Sequence, residues 1–163
     1  MKRSLLLLPL LFLSVFLPAC KTTNQVENML IPRIMIESRG LQYGAMQGRT
    51  LRLPISQTEI IVDREPAVSE LDILNVELVK VDMGLALLIE TNDTGARALY
   101  RTSVTNRGSR LVFTTNDKAI GARRIDTVMN DGKLYTFVEV EDNAIGQLVL
   151  DLKASIAELR RKR

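Results

Sequence analysis

Near the C-terminus, Ile145, Leu148, Val149, Leu152, Ile156 and Leu159 recur at spacings of three, one, three, four and three. That is one apolar face of an α-helix, and such a face has to be buried against another layer. Glu141 and Asp142 stand at its start and Arg160, Arg161, Lys162 and Arg163 at its end, matching the helix dipole at both ends. Most of what precedes this helix is β-rich. Residues 31–38, 50–55, 58–63, 75–82, 85–90 and 110–115 read as strands. Residues 119–128 are extended but less regular. Asn130-Asp131-Gly132 suits a hairpin turn, with 133–140 as the return strand. A glycine-bearing loop is expected over 39–49, and one helical turn over 69–73 with Ser69 as N-cap. Thr91-Asn92-Asp93-Thr94 supplies capping residues for a second helix over 95–105, which Asn106-Arg107-Gly108 stops. This order predicts a single α+β domain, a mainly antiparallel sheet with two helices packed on one face.

The other end of the chain reads differently. Met1-Lys2-Arg3 precedes an apolar run from Leu5 to Leu17, too short for a comfortable permanent span. Leu17-Pro18-Ala19-Cys20 follows and resembles the lipobox of bacterial prolipoproteins, with Pro18 in place of a small residue. The resemblance implies cleavage between Ala19 and Cys20, diacylglycerol on the Cys20 sulfur, and further acyl chains such as palmitate. Residues 1–19 are then a signal peptide, 20–30 a polar lipid-anchored tether, and 31–163 the domain. One acyl chain binds membranes reversibly, and two or three make a stable anchor. Lys21, where inner-membrane retention usually needs Asp, points to the periplasmic side of an outer membrane in a Gram-negative cell. In any case the expected location is the extracytoplasmic side of the cell envelope.

Loss of residues 1–19 leaves 144 residues, enough for one domain with its own core. Lys2 and Arg3 leave with the signal, so 22 basic side chains become 20 against 19 acidic, a net charge of +1. No nucleic-acid footprint follows from that balance. Cys20 is the single cysteine, so no internal disulfide can form.

From Pro66 onward the chain resembles the periplasmic head subdomain of the SecD/SecDF protein-export subunit. Leu71-Asp72-Ile73 occupies the place of a short turn before a strand in that family. Gly95-Ala96-Arg97-Ala98-Leu99, then Ser103, Asn106 and Gly108, is similar to the family's Gly-Ala-x-x-Phe helix followed by Thr-x-x-Asn-x-Gly. Arg110-Leu111-Val112-Phe113 matches its next strand. Ala119-Ile120-Gly121-Ala122-Arg123 resembles its Val-Ile-Ser-Ala-Pro, with Arg123 in place of Pro. The membrane-spanning helices of that subunit are missing from this sequence, so its proton-driven motion does not carry over. The resemblance implies a fold, and contact with unfolded or emerging polypeptide.

Catalytic and metal-binding patterns are sparse. Asp93-Thr94-Gly95 has the form of the aspartic-protease tripeptide, which needs two carboxylates sharing a proton and hence a homodimer. Ala96, Leu99 and Ser103 continue from it at helical spacing, which makes Asp93 a favourable charge at a helix start instead. With no His and one Cys, which lipid would block, no metal site is expected. Glu139, Glu141 and Asp142 read as a solvated turn before a helix. No nucleophile–base pair, cofactor loop or phosphate loop is present. Arg160, Arg161, Lys162 and Arg163 are candidate contacts for a partner or for lipid headgroups. Arg107, Arg110, Arg123 and Arg124 flank strand ends. The expectation is a non-enzymatic, lipid-anchored envelope protein that binds a protein or peptide partner by strand addition at a sheet edge, as an accessory to protein export. An architectural envelope lipoprotein is the alternative.

Overall fold

Both expected helices are present in the computed structural model, which describes residues 29–38 and 48–162. Helix α1 spans Asp93–Thr105 and α2 spans Asp142–Arg161. The Asn92 side chain accepts the Gly95 N–H at 2.9 Å and so caps α1, a contact worth about 1 kcal/mol. α1 buries Leu99 and Ser103, and α2 buries Ile145, Val149, Leu152 and Ile156. A short 3-10 turn occupies Glu70–Asp72. Ser69 does not cap it through a backbone bond as expected. Its hydroxyl donates instead to the Asp72 carboxylate at 2.7 Å, because the turn is too short to aim free N–H groups at it.

Among the described residues eight strands accompany these helices: β1 Pro32–Ile36, β2 Gly48–Arg52, β3 Glu59–Asp63, β4 Ile73–Val81, β5 Gly84–Thr91, β6 Arg110–Thr115, β7 Lys118–Arg124 and β8 Lys133–Thr136. Every ladder is antiparallel, in the orders β1-β6-β7, β2-β3 and β4-β5-β8. The α+β class with two helices therefore stands. Two local expectations are corrected. Gly48 and Arg49 open β2 instead of closing a loop, drawn in by their ladder partners Asp63 and Val62; 39–47 lie outside the described residues. Asn130-Asp131-Gly132 turns the chain but makes no hairpin with the preceding strand. Gly132 has φ of 68°, and its carbonyl accepts from the Thr91 N–H and hydroxyl, which delivers β8 to β5 in the other sheet.

The two three-stranded sheets meet edge to edge. Gly121 of β7 bridges to Val138, and Glu139 N–H donates to Ile120 O at 2.7 Å. Their shared inner face forms the main core with both helices: Phe113 and Leu111 from β6, Leu87 and Ile89 from β5, Leu99 from α1, Leu152 from α2. The opposite face of β1-β6-β7 is closed by the β2–β3 hairpin, where Met35 and Val112 pack with Leu51, Ile60 and Val62. β6 is thus covered on both sides, which is why it reads as the unbroken apolar run Leu111-Val112-Phe113.

Charged clips tie the layers. Arg33 reaches Glu70 at 2.7 Å and Asp117 at 3.3 Å, and Arg49 reaches Asp117 at 3.1 Å. The Glu139 carboxylate accepts the Ile55 and Ser56 N–H groups at 2.9 and 2.8 Å, pinning the β2–β3 turn to the chain after β8. Hydrogen bonding from Arg33 holds the Glu70 carboxyl below its ordinary range, and Arg49 does the same for Asp117. Burial opposes the Glu139 charge, but the backbone donors outweigh it and lower that group too. All three are lowered in the folded state. The stability they supply is complete above the ordinary carboxyl range and is lost as pH falls through the lowered values. Urea midpoints are therefore expected to be flat near neutrality and to fall in acid. Glu70→Gln should flatten that acid limb; an unchanged limb would remove Glu70 from the account.

Candidate functional site

β4 and β5 form a hairpin longer than β8, which pairs only Leu87–Glu90 of β5. Alternate residues face opposite ways along these strands. Val76, Ile89 and Leu134 share one rung and point into the main core. The next rung, Glu77, Leu88 and Tyr135, points outward, as does the pair Val79 and Ala86. Leu88 and Ala86 are buried yet belong to neither core. Their ladder neighbours on the outer face are half-exposed side chains. Tyr135 is 37% exposed, and Phe137, two residues further along the extended chain, 43%. At the hairpin turn Met83 is 85% exposed. Of the four described aromatic residues only Phe113 is buried, and two of the three others lie here. Exposed aromatics and Met are typical of contact surfaces.

The polar end of this face is self-satisfied. Lys133 reaches Glu90 at 3.2 Å and Asn75 donates to it at 3.3 Å, so Lys133 first and Asn75 second lower the Glu90 carboxyl. The apolar end, toward Met83, carries no such network among the described residues. β4 is also an edge: among the described residues no strand pairs with its outer side. Such an arrangement can take an added strand, although α2 packs against β4 and Lys153 reaches Glu77 there. The bulge between Ile73 and Asn75 disrupts one end of that edge and leaves the stretch from Val76 to Val81 regular.

The residues singled out in the sequence fall elsewhere. Ala19, Cys20 and Arg163 lie outside the described residues. Arg160, Arg161 and Lys162 are exposed at the end of α2, where Glu158 pairs with Arg161 at 2.8 Å and with Lys162 at 3.7 Å. Asp93 is the first residue of α1, capped by Asn92, so Asp93-Thr94-Gly95 is a helix start and not a loop between strands. Glu139 is spent on Ile55 and Ser56, and Asp142 begins α2. Among the described residues no group of carboxylates is gathered as a metal would require. The four flanking arginines do not converge on one site. Arg110 binds Glu37, Arg123 binds the Tyr135 carbonyl, and Arg107 and Arg124 both meet Asp126. Tyr135, Phe137 and Met83 were not candidates from the sequence. Their signal was there in Leu134-Tyr135-Thr136-Phe137, an alternation whose aromatic members fall on one face.

No family model and no curated protein matches the chain. Solved structures do. A structure described as a membrane component SecDF that enhances protein export aligns over 80% of this chain and 64% of its own, with a TM-score of 0.58 and 14% identity. SecDF in a super-membrane-facing form aligns over 80% of this chain and 19% of its own, with a TM-score of 0.59 and 14% identity. The chain thus spans under two thirds of each. Among the described residues no helix is long and apolar enough to cross a membrane. At this identity the likeness speaks for architecture, and on that ground the domain has a SecD-like fold.

Proposed function

We propose that this is a non-enzymatic binding module of the cell envelope, held at a membrane by lipid on Cys20, that takes up extended polypeptide as an accessory to protein export. The observation that carries this reading is the β4 edge, which no described strand pairs, in a sheet whose outer face bears exposed Tyr135 and Phe137 and whose β4–β5 turn bears exposed Met83. An extended chain added along Val76–Val81 would form backbone bonds whatever its sequence, and its alternate side chains would meet Glu77 and Val79 on the outer side of β4. Such a mode suits clients that share no sequence. The SecD-like fold supports the export setting.

A photocrosslinking residue at Met83 or Tyr135 in the tagged full-length protein, in its native cells, tests this. A residue at Arg97 on α1 is the control, and Cys20→Ser supplies an unanchored form. Many exported chains or translocon subunits are expected at positions 83 and 135 and not at 97. One stable envelope protein at those positions would overturn the client reading and favour an architectural lipoprotein. Tyr135→Ala with Phe137→Ala should lower the crosslink yield at 83 about tenfold, as expected for aromatic contacts at an interface centre. Both side chains are partly exposed, so the unfolding midpoint should move far less than for a core truncation.

A further inference from the structure

The described chain begins against the last third of its final helix. Leu30 N–H donates to the buried Ser155 hydroxyl at 2.9 Å, and that hydroxyl donates to Asp151 O at 2.7 Å. The next residue is held as well. Ile31 N–H donates to Asn116 Oδ1 at 2.8 Å, and Asn116 N–H returns a bond to Ile31 O. Residue 30 therefore has a fixed place on the body, and the segment that leads back to Cys20 leaves from it. Ser155 precedes Arg160 and Arg161 by five and six residues, about 8–9 Å along a helix.

α2 runs back along β4. It starts after β8 has reached the level of Leu78 and Leu87. Lys153 meets Glu77 at 3.8 Å, and the helix packs further on against the 3-10 turn that precedes β4. Its basic end, the exit at Leu30 and the β6–β7 turn with exposed Lys118 thus share one end of the domain. The Met83 turn is at the other end, about 26 Å away along a strand of this length. Among the described residues Glu158 offsets the final turn of α2, by its pairs with Arg161 and Lys162. Arg160, Arg161 and Lys162 then leave an excess of positive charge at the end of the domain where the chain enters at Leu30. Leu30 lies ten residues along the chain from Cys20, a reach of about 17 Å as a flexible coil and at most about 36 Å when extended. A lipid on Cys20 would keep this end within a short distance of headgroups throughout.

We propose that the α2 C-terminal end, with Arg160, Arg161 and Lys162, and nearby Lys118, lies on the anionic phospholipid surface to which the chain is anchored, and so points the β4–β5 turn away from the membrane. This rests on the assignment of Cys20 as the lipid site. Basic side chains near an anionic leaflet are each attracted appreciably, and salt removes the attraction. Tether and tail act together: the anchor sets a high local concentration and the charges choose the face.

Because Cys20 is the single cysteine, acylation leaves no other thiol, and one introduced cysteine can be labelled alone. The anchored protein, taken from its native membranes, is reconstituted into vesicles of phosphatidylethanolamine and phosphatidylglycerol. A spin label sits at Ala157→Cys on exposed α2 surface or at Met83→Cys. Label 157 should be several-fold less accessible than label 83 to a water-soluble paramagnetic reagent. That shielding should vanish in phosphatidylcholine vesicles, at about 1 M salt where the Debye length falls to about 3 Å, and with Arg160, Arg161, Lys162 and Arg163 all changed to Gln. Equal accessibility of 157 and 83 in anionic vesicles would overturn the proposal. So would shielding that survives the fourfold substitution. Wild-type protein that takes up the label has a free Cys20, which defeats the lipid assignment itself, a result separate from either of these.

Discussion

Phe113→Ala is expected to cost about 3–5 kcal/mol of folding stability, the range for truncating a fully buried aromatic. Phe113 is wholly buried at the centre of β6, opposite Ile34 on one side and Gly121 on the other. Its ring stands in the core that the two joined sheets share with α1 and α2. Removing it leaves a void bounded by ladders on both sides, which cannot collapse without shifting strands. A domain of this size has about 5–15 kcal/mol in all, so the variant should be partly unfolded at growth temperature. Urea denaturation reads the loss as a lower midpoint at unchanged slope. A fall below about 1 kcal/mol would mean that the sheets relax inward, and that the core is less constrained than its ladders imply. Phe137→Ala, on the outer face, is the matched comparison and should cost much less.

Gly121→Ala should be nearly as damaging, for a different reason. A Cβ on Gly121 would stand 2.3 Å from the Phe137 carbonyl oxygen, closer than real contacts allow. The obstacle is backbone, so no rotamer change relieves it. Either the β7–β8 bridge at Gly121 and Val138 opens or Phe137 moves with its strand. Inserting volume at a rigid contact costs about 1–3 kcal/mol, and separating two sheets belongs at the upper end. Gly146→Ala is the internal control. It lies in α2 with nothing within 4 Å of the added carbon, so it should raise stability by about 0.5–1 kcal/mol. Opposite signs for the same chemical change would locate the effect at the seam. Because Phe137 is displaced, Gly121→Ala should also reduce crosslinking at Tyr135. An unfolding midpoint equal to wild type would show that the seam opens at no cost.

Local pattern carried much of the fold. The spacing of Ile145, Val149, Leu152 and Ile156 marked the buried face of α2, and Asn92 and Gly108 bounded α1 because caps are local chemistry. What stayed hidden was pairing. Lys133–Thr136 read as a strand, but nothing within it says that its partner is β5 instead of β7. That choice is made by Gly132 and Thr91, far apart in sequence. The seam at Gly121 was invisible for the same reason, since a small residue in a strand reads as weakness until the facing carbonyl is placed. The contact face was half legible. The alternation around Tyr135 and Phe137 shows that they share a side, but only the placement of the helices shows that this side faces away from the main core. Signal and lipobox patterns, by contrast, need no tertiary structure to be read, and they fall outside the described residues.

The bond between Leu30 and Ser155 joins residues 125 apart in sequence, and β1 waits for β6 before it has any ladder. A chain that emerges from a ribosome or a membrane channel does so from its N-terminus. Its first strand would then appear with only the bridges to Val62 and Val68 to hold it, and the shared core would lack one wall until α2 had passed through. Non-local closure of this kind makes early folding slow. The hairpins can close early, but the topology leaves the shared core open until the last helix has arrived.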